Sequence, residues 1–193
     1  MRHLLTGSLF FLLYACGPIS LEDDSIVQKH FSEPEIAYLD SILTFFDREI
    51  VNQTSGRGII QSYERLFQGV KDSIDNSRPA IAMELDPEGF QNLFSTLPDS
   101  FQHKLWYTGY AYNSRTGDST FFRDLRSEGS YTAFLKTASE KNSFLAEYYD
   151  DLERGASITP SMNANMLLFP GELDIKKERE RLIYAIHFIT LKK

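Results

Sequence analysis

The sequence predicts an all-α protein of a single domain, an irregular helical bundle built around its own C-terminal helix. Apolar residues recur three and four apart along most of the chain, the spacing that lines one face of a helix. Several of these runs open on a Ser, Asp or Thr cap followed by proline, the local signature of a helix start. Residues 182–191 are apolar on nearly every side, which is how a helix in the middle of a bundle reads.

Each element has a local reason. Ser32 is placed to cap a helix, with Pro34 in the first turn and Glu35 where it completes a reciprocal capping box. Ile36, Leu39, Leu43, Phe46 and Ile50 mark its buried face, and the polar, glycine-containing stretch 52–58 ends it. Ile59, Tyr63, Leu66, Phe67, Val70 and Ile74 repeat the pattern. After a loop around 76–79, Asp86 caps a short helix opened by Pro87, with Phe90, Leu93, Phe94 and Leu97 facing inward until Pro98 closes it.

From 101 to 122 a helical start gives way to Thr108-Gly109-Tyr110-Ala111-Tyr112 and then to the turn-rich stretch 113–119. This reads as a loop or as a small hairpin near 106–122. Helical spacing returns at Tyr131, Phe134, Leu135 and Ala138, and again at Phe144, Leu145, Tyr148, Tyr149 and Leu152, with Gly155 as the stop. Thr159 and Pro160 open a further short helix, and Asp174 is expected to cap the last one.

Composition bounds the function. A chain of 193 residues, 42% hydrophobic and 24% charged, fits one globular domain with a core of its own. The single cysteine, Cys16, excludes a disulfide within the chain. The formal charge of −7 argues against a polyanion partner, because nucleic-acid binding shows as a basic patch. The densest basic grouping, Lys176, Lys177, Arg179 and Arg181, is interleaved with Glu178 and Glu180 and reads as a solvated helix face.

The first sixteen residues read as a leader. Arg2 and His3 precede an apolar stretch over 4–14, too short for a membrane-spanning helix of about 20 residues but right for the apolar region of a signal peptide. It runs into Leu13-Tyr14-Ala15-Cys16, which resembles the lipobox of bacterial lipoproteins, although Tyr14 stands where a small residue is more usual. The resemblance implies a lipid on Cys16, cleavage after Ala15 and a firm membrane anchor. The organisation expected is a signal peptide over 1–15, a lipidated tether over 16–30 and a helical domain over 31–193. Losing residues 1–15 removes one basic residue and no acid, taking the charge from −7 to −8.

Gly17, in place of aspartate, implies sorting to the outer membrane, and Glu22-Asp23-Asp24 read as a solvated tether that also resembles surface-export signals. Tyr131-Thr132-Ala133-Phe134-Leu135-Lys136, Ile158-Thr159-Pro160-Ser161-Met162 and Ile186-His187-Phe188-Ile189-Thr190-Leu191, in the C-terminal third, resemble a group of uncharacterised helical envelope lipoproteins. That likeness implies architecture and location and carries no activity.

No catalytic signature stands out. The chain has no G-x-S-x-G, S-x-x-K or H-E-x-x-H, each of which sets nucleophile, base or metal ligands at fixed geometry. His30, His103 and His187 lie far apart in sequence, so neither a metal nor another cofactor is expected. Glu147, Asp150, Asp151 and Glu153 could serve as paired acids if one were desolvated, but their spacing reads first as a polar helix face. His187, on the most apolar helix, reads as a core histidine bonded to a neighbour.

The binding candidates are His103, Trp106, Tyr107, Tyr110, Tyr112 and Arg115, which gather in the least regular segment beside Asn113. Polar-tipped aromatics there suit a glycan or a protein interface, and they would equally serve as core packing. The expectation is therefore a lipid-anchored envelope protein that binds a protein or glycan without catalysis. A small hydrolase using paired carboxylates, and an inhibitor or immunity-type protein that blocks a basic partner, remain as alternatives.

Overall fold

The computed structural model describes residues 19–76, 83–155 and 157–192. Helices dominate: α1 (Ser25–His30), α2 (Glu33–Thr54), α3 (Ile59–Asp75), α4 (Pro87–Thr96), α5 (Asp99–Leu105), α6 (Ser130–Ser139), α7 (Ser143–Gly155), α8 (Pro160–Leu168) and α9 (Glu178–Leu191). Between α5 and α6 stands one antiparallel hairpin of β1 (Trp106–Tyr112) and β2 (Ser119–Leu125). The all-α reading thus holds for the body, and the small hairpin runs three residues beyond its expected end.

Local chemistry starts the helices where the sequence places them. The Glu35 carboxylate accepts from the Ser32 backbone N–H at 2.9 Å and from its hydroxyl at 2.8 Å, closing the first turn of α2. Asp86 accepts from the Glu88 and Gly89 N–H groups, and Thr159 from Met162, so α4 and α8 are capped in the same way. At the far end of α2, Ser55 takes a left-handed conformation with φ of 51°, and the Arg65 guanidinium donates to its carbonyl at 2.9 Å.

Helix α9 is the hub. Every residue from Glu180 to Thr190 is buried. Tyr184 meets Phe46 of α2 and Tyr63 and Phe67 of α3, and Phe188 stacks on Phe46 with centroids 6.2 Å apart. His187 meets Tyr148 of α7, and Thr190 meets Trp106 of β1. Each such apolar side chain contributes about 1.5–3 kcal/mol on burial, so enclosure on several sides makes this helix the centre of the core.

One buried polar network pins three helices together. Tyr63 donates to Asp47 Oδ1 at 2.8 Å, and Arg181 Nε donates to Asp47 Oδ2 at 3.2 Å. Burial lifts the Asp47 carboxyl above its ordinary value despite the pull of Arg181.

Two expectations are corrected. The segment 16–30 is not a free tether throughout: Leu21 and Val27 are buried, the Leu21 N–H donates to Glu178 at 3.0 Å, and Asp24 caps α1 while accepting from Arg179 at 2.6 Å. The folded domain therefore begins at about Leu21 rather than at 31, because an amphipathic turn with an acidic cap finds a cationic partner on α9. Asp174 does not cap the last helix either. Its carbonyl accepts from the Lys177 N–H at 2.8 Å in a separate turn, and α9 begins only after Lys177. The loop expected around 76–79 falls mostly outside the described residues, as does Cys16.

Candidate functional site

The hairpin grows directly out of a helix end. Helix α5 stops at Leu105, and the run Trp106–Tyr112 is rich in aromatic residues that favour the pleated conformation. The Leu105 carbonyl accepts from the Arg126 N–H at 2.9 Å at the base, and the Asp118 carbonyl accepts from the Asn113 N–H at 2.8 Å at the tip. Gly117, with φ of 79°, makes the turn possible. Gly109 lies directly opposite Phe122, whose ring would meet a Cβ at 2.9 Å, so the ring lies across the strand where a side chain would stand.

Alternation along the strands sorts the binding candidates. Trp106, Thr108, Tyr110 and Tyr112 share one face with Ser119, Phe121, Arg123 and Leu125 of β2, and Tyr107 shares the other with Phe122 and Asp124. Tyr107, Tyr110 and Tyr112 are 55%, 73% and 69% exposed. Tyr110 packs edge-on to Phe121 at 5.6 Å and Tyr107 tilts on Phe122 at 5.8 Å, so the tyrosines form two aromatic surfaces back to back.

Trp106 leaves the candidate group. It is fully buried, its ring tilts on Phe94 at 5.2 Å, and its Nε1 donates to Thr190 Oγ1 at 2.8 Å, so it anchors the hairpin to the core. His103 is exposed but lies on α5, where its Nδ1 bonds back to the Asp99 carbonyl at 2.6 Å. Arg115 is exposed in the turn, its N–H bonded to Asn113 Oδ1 at 3.0 Å. The structure thus gathers Tyr107, Tyr110 and Tyr112 on one hairpin, keeps Arg115 at its tip, and separates His103 and Trp106 from them.

Arg123 is a residue that sequence reasoning passed over. Its guanidinium carbon sits 3.8 Å from the Phe94 centroid and within 6 Å of the Phe90, Trp106 and Phe121 centroids. Burial pushes its pKa down to about 10. The signal was the alternation in Ser119–Leu125, which places Arg123 on the face of Trp106 once β2 is paired with β1.

The remaining candidates lie on helices α7 and α9, apart from the hairpin. His187 Nδ1 lies 3.0 Å from the Tyr148 hydroxyl and Nε2 lies 3.3 Å from Asn163 Oδ1, a pair satisfied by a neutral ring accepting at Nδ1 and donating at Nε2. Burial pushes its pKa down to about 3. Glu147, Asp150 and Glu153 are exposed on α7, and Asp151 pairs with Arg154 at 2.9 Å. Among the described residues, no three His, Cys, Asp or Glu side chains are grouped to hold a metal ion.

Two concavities frame the choice of site. An apolar groove of about 600 Å³ runs between α3 and the end of α8, lined by Phe67, Val70, Leu167, Leu168 and Leu173. A second, of about 560 Å³, lies against the hairpin and is lined by Tyr107, Phe122, Asp124, Arg126 and Glu128. Both carry charge of both signs, Glu64, Lys71 and Asp75 on the first and Asp124, Arg126 and Glu128 on the second, and the second adds the exposed ring of Tyr107 beside Phe122. The chain matches no protein-family model, no curated protein and no solved structure. Fold and site together define a helical domain that presents an aromatic β-hairpin.

Proposed function

We propose that the protein is a lipid-anchored envelope lipoprotein that acts without catalysis, with the hairpin as its recognition surface for a protein or glycan partner. The observation that carries the recognition reading is the exposure of Tyr107, Tyr110 and Tyr112 on a strand with no charged residue. Large rigid aromatics with polar tips leave water at little conformational cost, and they bond at the rim while stacking at the centre. Arg115 at the tip and Asp124 and Arg126 beside Tyr107 supply the polar contacts that orient a partner. The anchor rests on Leu13-Tyr14-Ala15-Cys16, and outer-membrane placement on Gly17.

Cross-linked capture from native membranes, with the anchor intact, tests the recognition surface. The parent is expected to retain a stoichiometric partner that the combined Tyr107→Ala, Tyr110→Ala and Tyr112→Ala variant loses while keeping its melting temperature. Equal capture by both would remove the hairpin from recognition. Metabolic labelling with an alkyne fatty acid tests the anchor: Cys16→Ala should carry no label, and label that persists refutes lipidation at this site.

A further inference from the structure

The hairpin's hydrogen-bond phase leaves one edge open. Asn113 pairs with Asp118 at the tip and Leu105 with Arg126 at the base, both through backbone bonds. Bonded pairs alternate along an antiparallel ladder, so with this register Tyr107, Gly109 and Ala111 direct their N–H and C=O groups to β2. Thr108, Tyr110 and Tyr112 direct theirs to the outer edge of β1. Among the described residues, no backbone or side-chain group bonds to those outward groups, and all three residues are exposed.

That edge lacks the usual protections. Natural edge strands are kept single by a lysine, a proline, a bulge or a covering element. Trp106–Tyr112 contains no charge and no proline, and its register with β2 is unbroken over seven pairs.

We infer that β1 pairs edge to edge, antiparallel, with the β1 strand of a second copy about a two-fold axis at Tyr110, making a four-stranded sheet across the dimer. This rests on the reading of the hairpin as a recognition surface and names the copy itself as the occupant of its edge. With the axis there, Tyr110 faces Tyr110 of the partner subunit and Thr108 faces Tyr112 of the partner subunit, so all three outward-facing residues are used on both copies. A foreign strand would satisfy one such edge, whereas a second copy satisfies two.

Charge favours the same geometry. Each chain carries −7, but the paired strands carry none, so like charges do not meet at the seam. The two helical bodies stand at opposite ends of the shared ribbon, with the two Trp106 positions about 27 Å apart along the strands. That is several times the screening length of about 8 Å at physiological salt.

The test is the mass of the full chain in detergent micelles at high micromolar concentration, by sedimentation or light scattering. The parent is expected at twice the monomer mass. Thr108→Pro removes an outward N–H without touching the bonds to β2, and by symmetry it deletes two bonds across the seam. It should weaken the dimer by about tenfold or more, with an unchanged melting temperature at dilutions where both proteins are monomeric. Tyr110→Lys and Tyr110→Glu should each be monomeric, and mixing them should restore the dimer, since position 110 faces its own copy.

A monomeric parent overturns the inference. So does a dimer indifferent to Thr108→Pro and Tyr110→Lys, or Lys and Glu variants that fail to recombine. These results stand apart from the membrane-capture test: Thr108→Pro leaves every tyrosine side chain in place, so loss of the dimer with retained capture separates the seam from the recognition faces.

Discussion

Trp106 Nε1 donates to Thr190 Oγ1 at 2.8 Å, joining the first residue of the hairpin to the last turn of the central helix across 84 positions of sequence. Thr190 in turn donates to the Ile186 carbonyl at 2.7 Å, so the indole is held by a hydroxyl that is itself fixed. The hairpin therefore projects from the core on a rigid root.

Thr190→Val keeps the shape and deletes the acceptor. A buried indole N–H left without a partner costs about 1–3 kcal/mol, so the midpoint of chemical denaturation should fall. Thr190→Ser, which keeps the hydroxyl, should recover most of the loss; equal loss in both would mean that packing rather than the bond matters here.

Ile186→Ala empties space at the centre of α9, where Ile186 is fully buried. The expected cost is about 2–5 kcal/mol, which for a chain of this length lowers the melting temperature by about 4–20 °C. Lys192→Ala, beyond the end of α9, should melt like the parent. Matching melts for Ile186→Ala and the parent would contradict the central position of this helix.

Asp47→Ala removes the carboxylate that accepts from both Tyr63 and Arg181. Removing one partner of a buried ion pair costs about 3–5 kcal/mol, and Arg181 would keep only the Ile175 carbonyl at 3.0 Å and the Glu178 carboxylate at 3.8 Å. Urea denaturation reads this directly, and a loss well under 1 kcal/mol would show that Glu178 and the Ile175 carbonyl suffice to hold the guanidinium.

His187 sets an acid limit on stability. Its pKa is about 3 when folded and close to 6.5 when unfolded, so between those values the unfolded chain binds the extra proton. Its contribution is therefore complete above pH 6.5 and is lost as pH falls towards 3, by about 1.4 kcal/mol per pH unit. Asp47, whose folded carboxyl is raised, acts in the opposite sense and is present in both the parent and a His187→Gln variant. His187→Gln should flatten the parent's decline over that window, and parallel curves would exclude the histidine as its source.

Gly109→Ala asks whether the hairpin tolerates a side chain under Phe122. A Cβ would meet that ring at 2.9 Å, so the ring must swing away and the Tyr107–Phe122 contact should weaken. A nuclear Overhauser contact between those two rings that survives the substitution would show that the strand yields instead.

What the sequence determined by itself was everything set by neighbours a few residues apart. The caps at Ser32, Asp86 and Thr159, the polar break after α2 and the apolar girth of 182–191 are local, and each appears where the spacing put it. Asp174 failed by the same logic, because a cap-like residue also suits an isolated turn and only the chain beyond decides which forms. The tertiary structure decided the fate of residues whose local patterns look alike. Trp106 and Tyr110 lie on the same face of one strand, four residues apart, yet one is buried and the other 73% exposed. The difference is their distance from α9, which is set by contacts far away in sequence. Arg123 lies among aromatics, and Leu21 and Val27 in the core, for that reason too: partners from α4, α6 and α9 reach them only once the helices have packed.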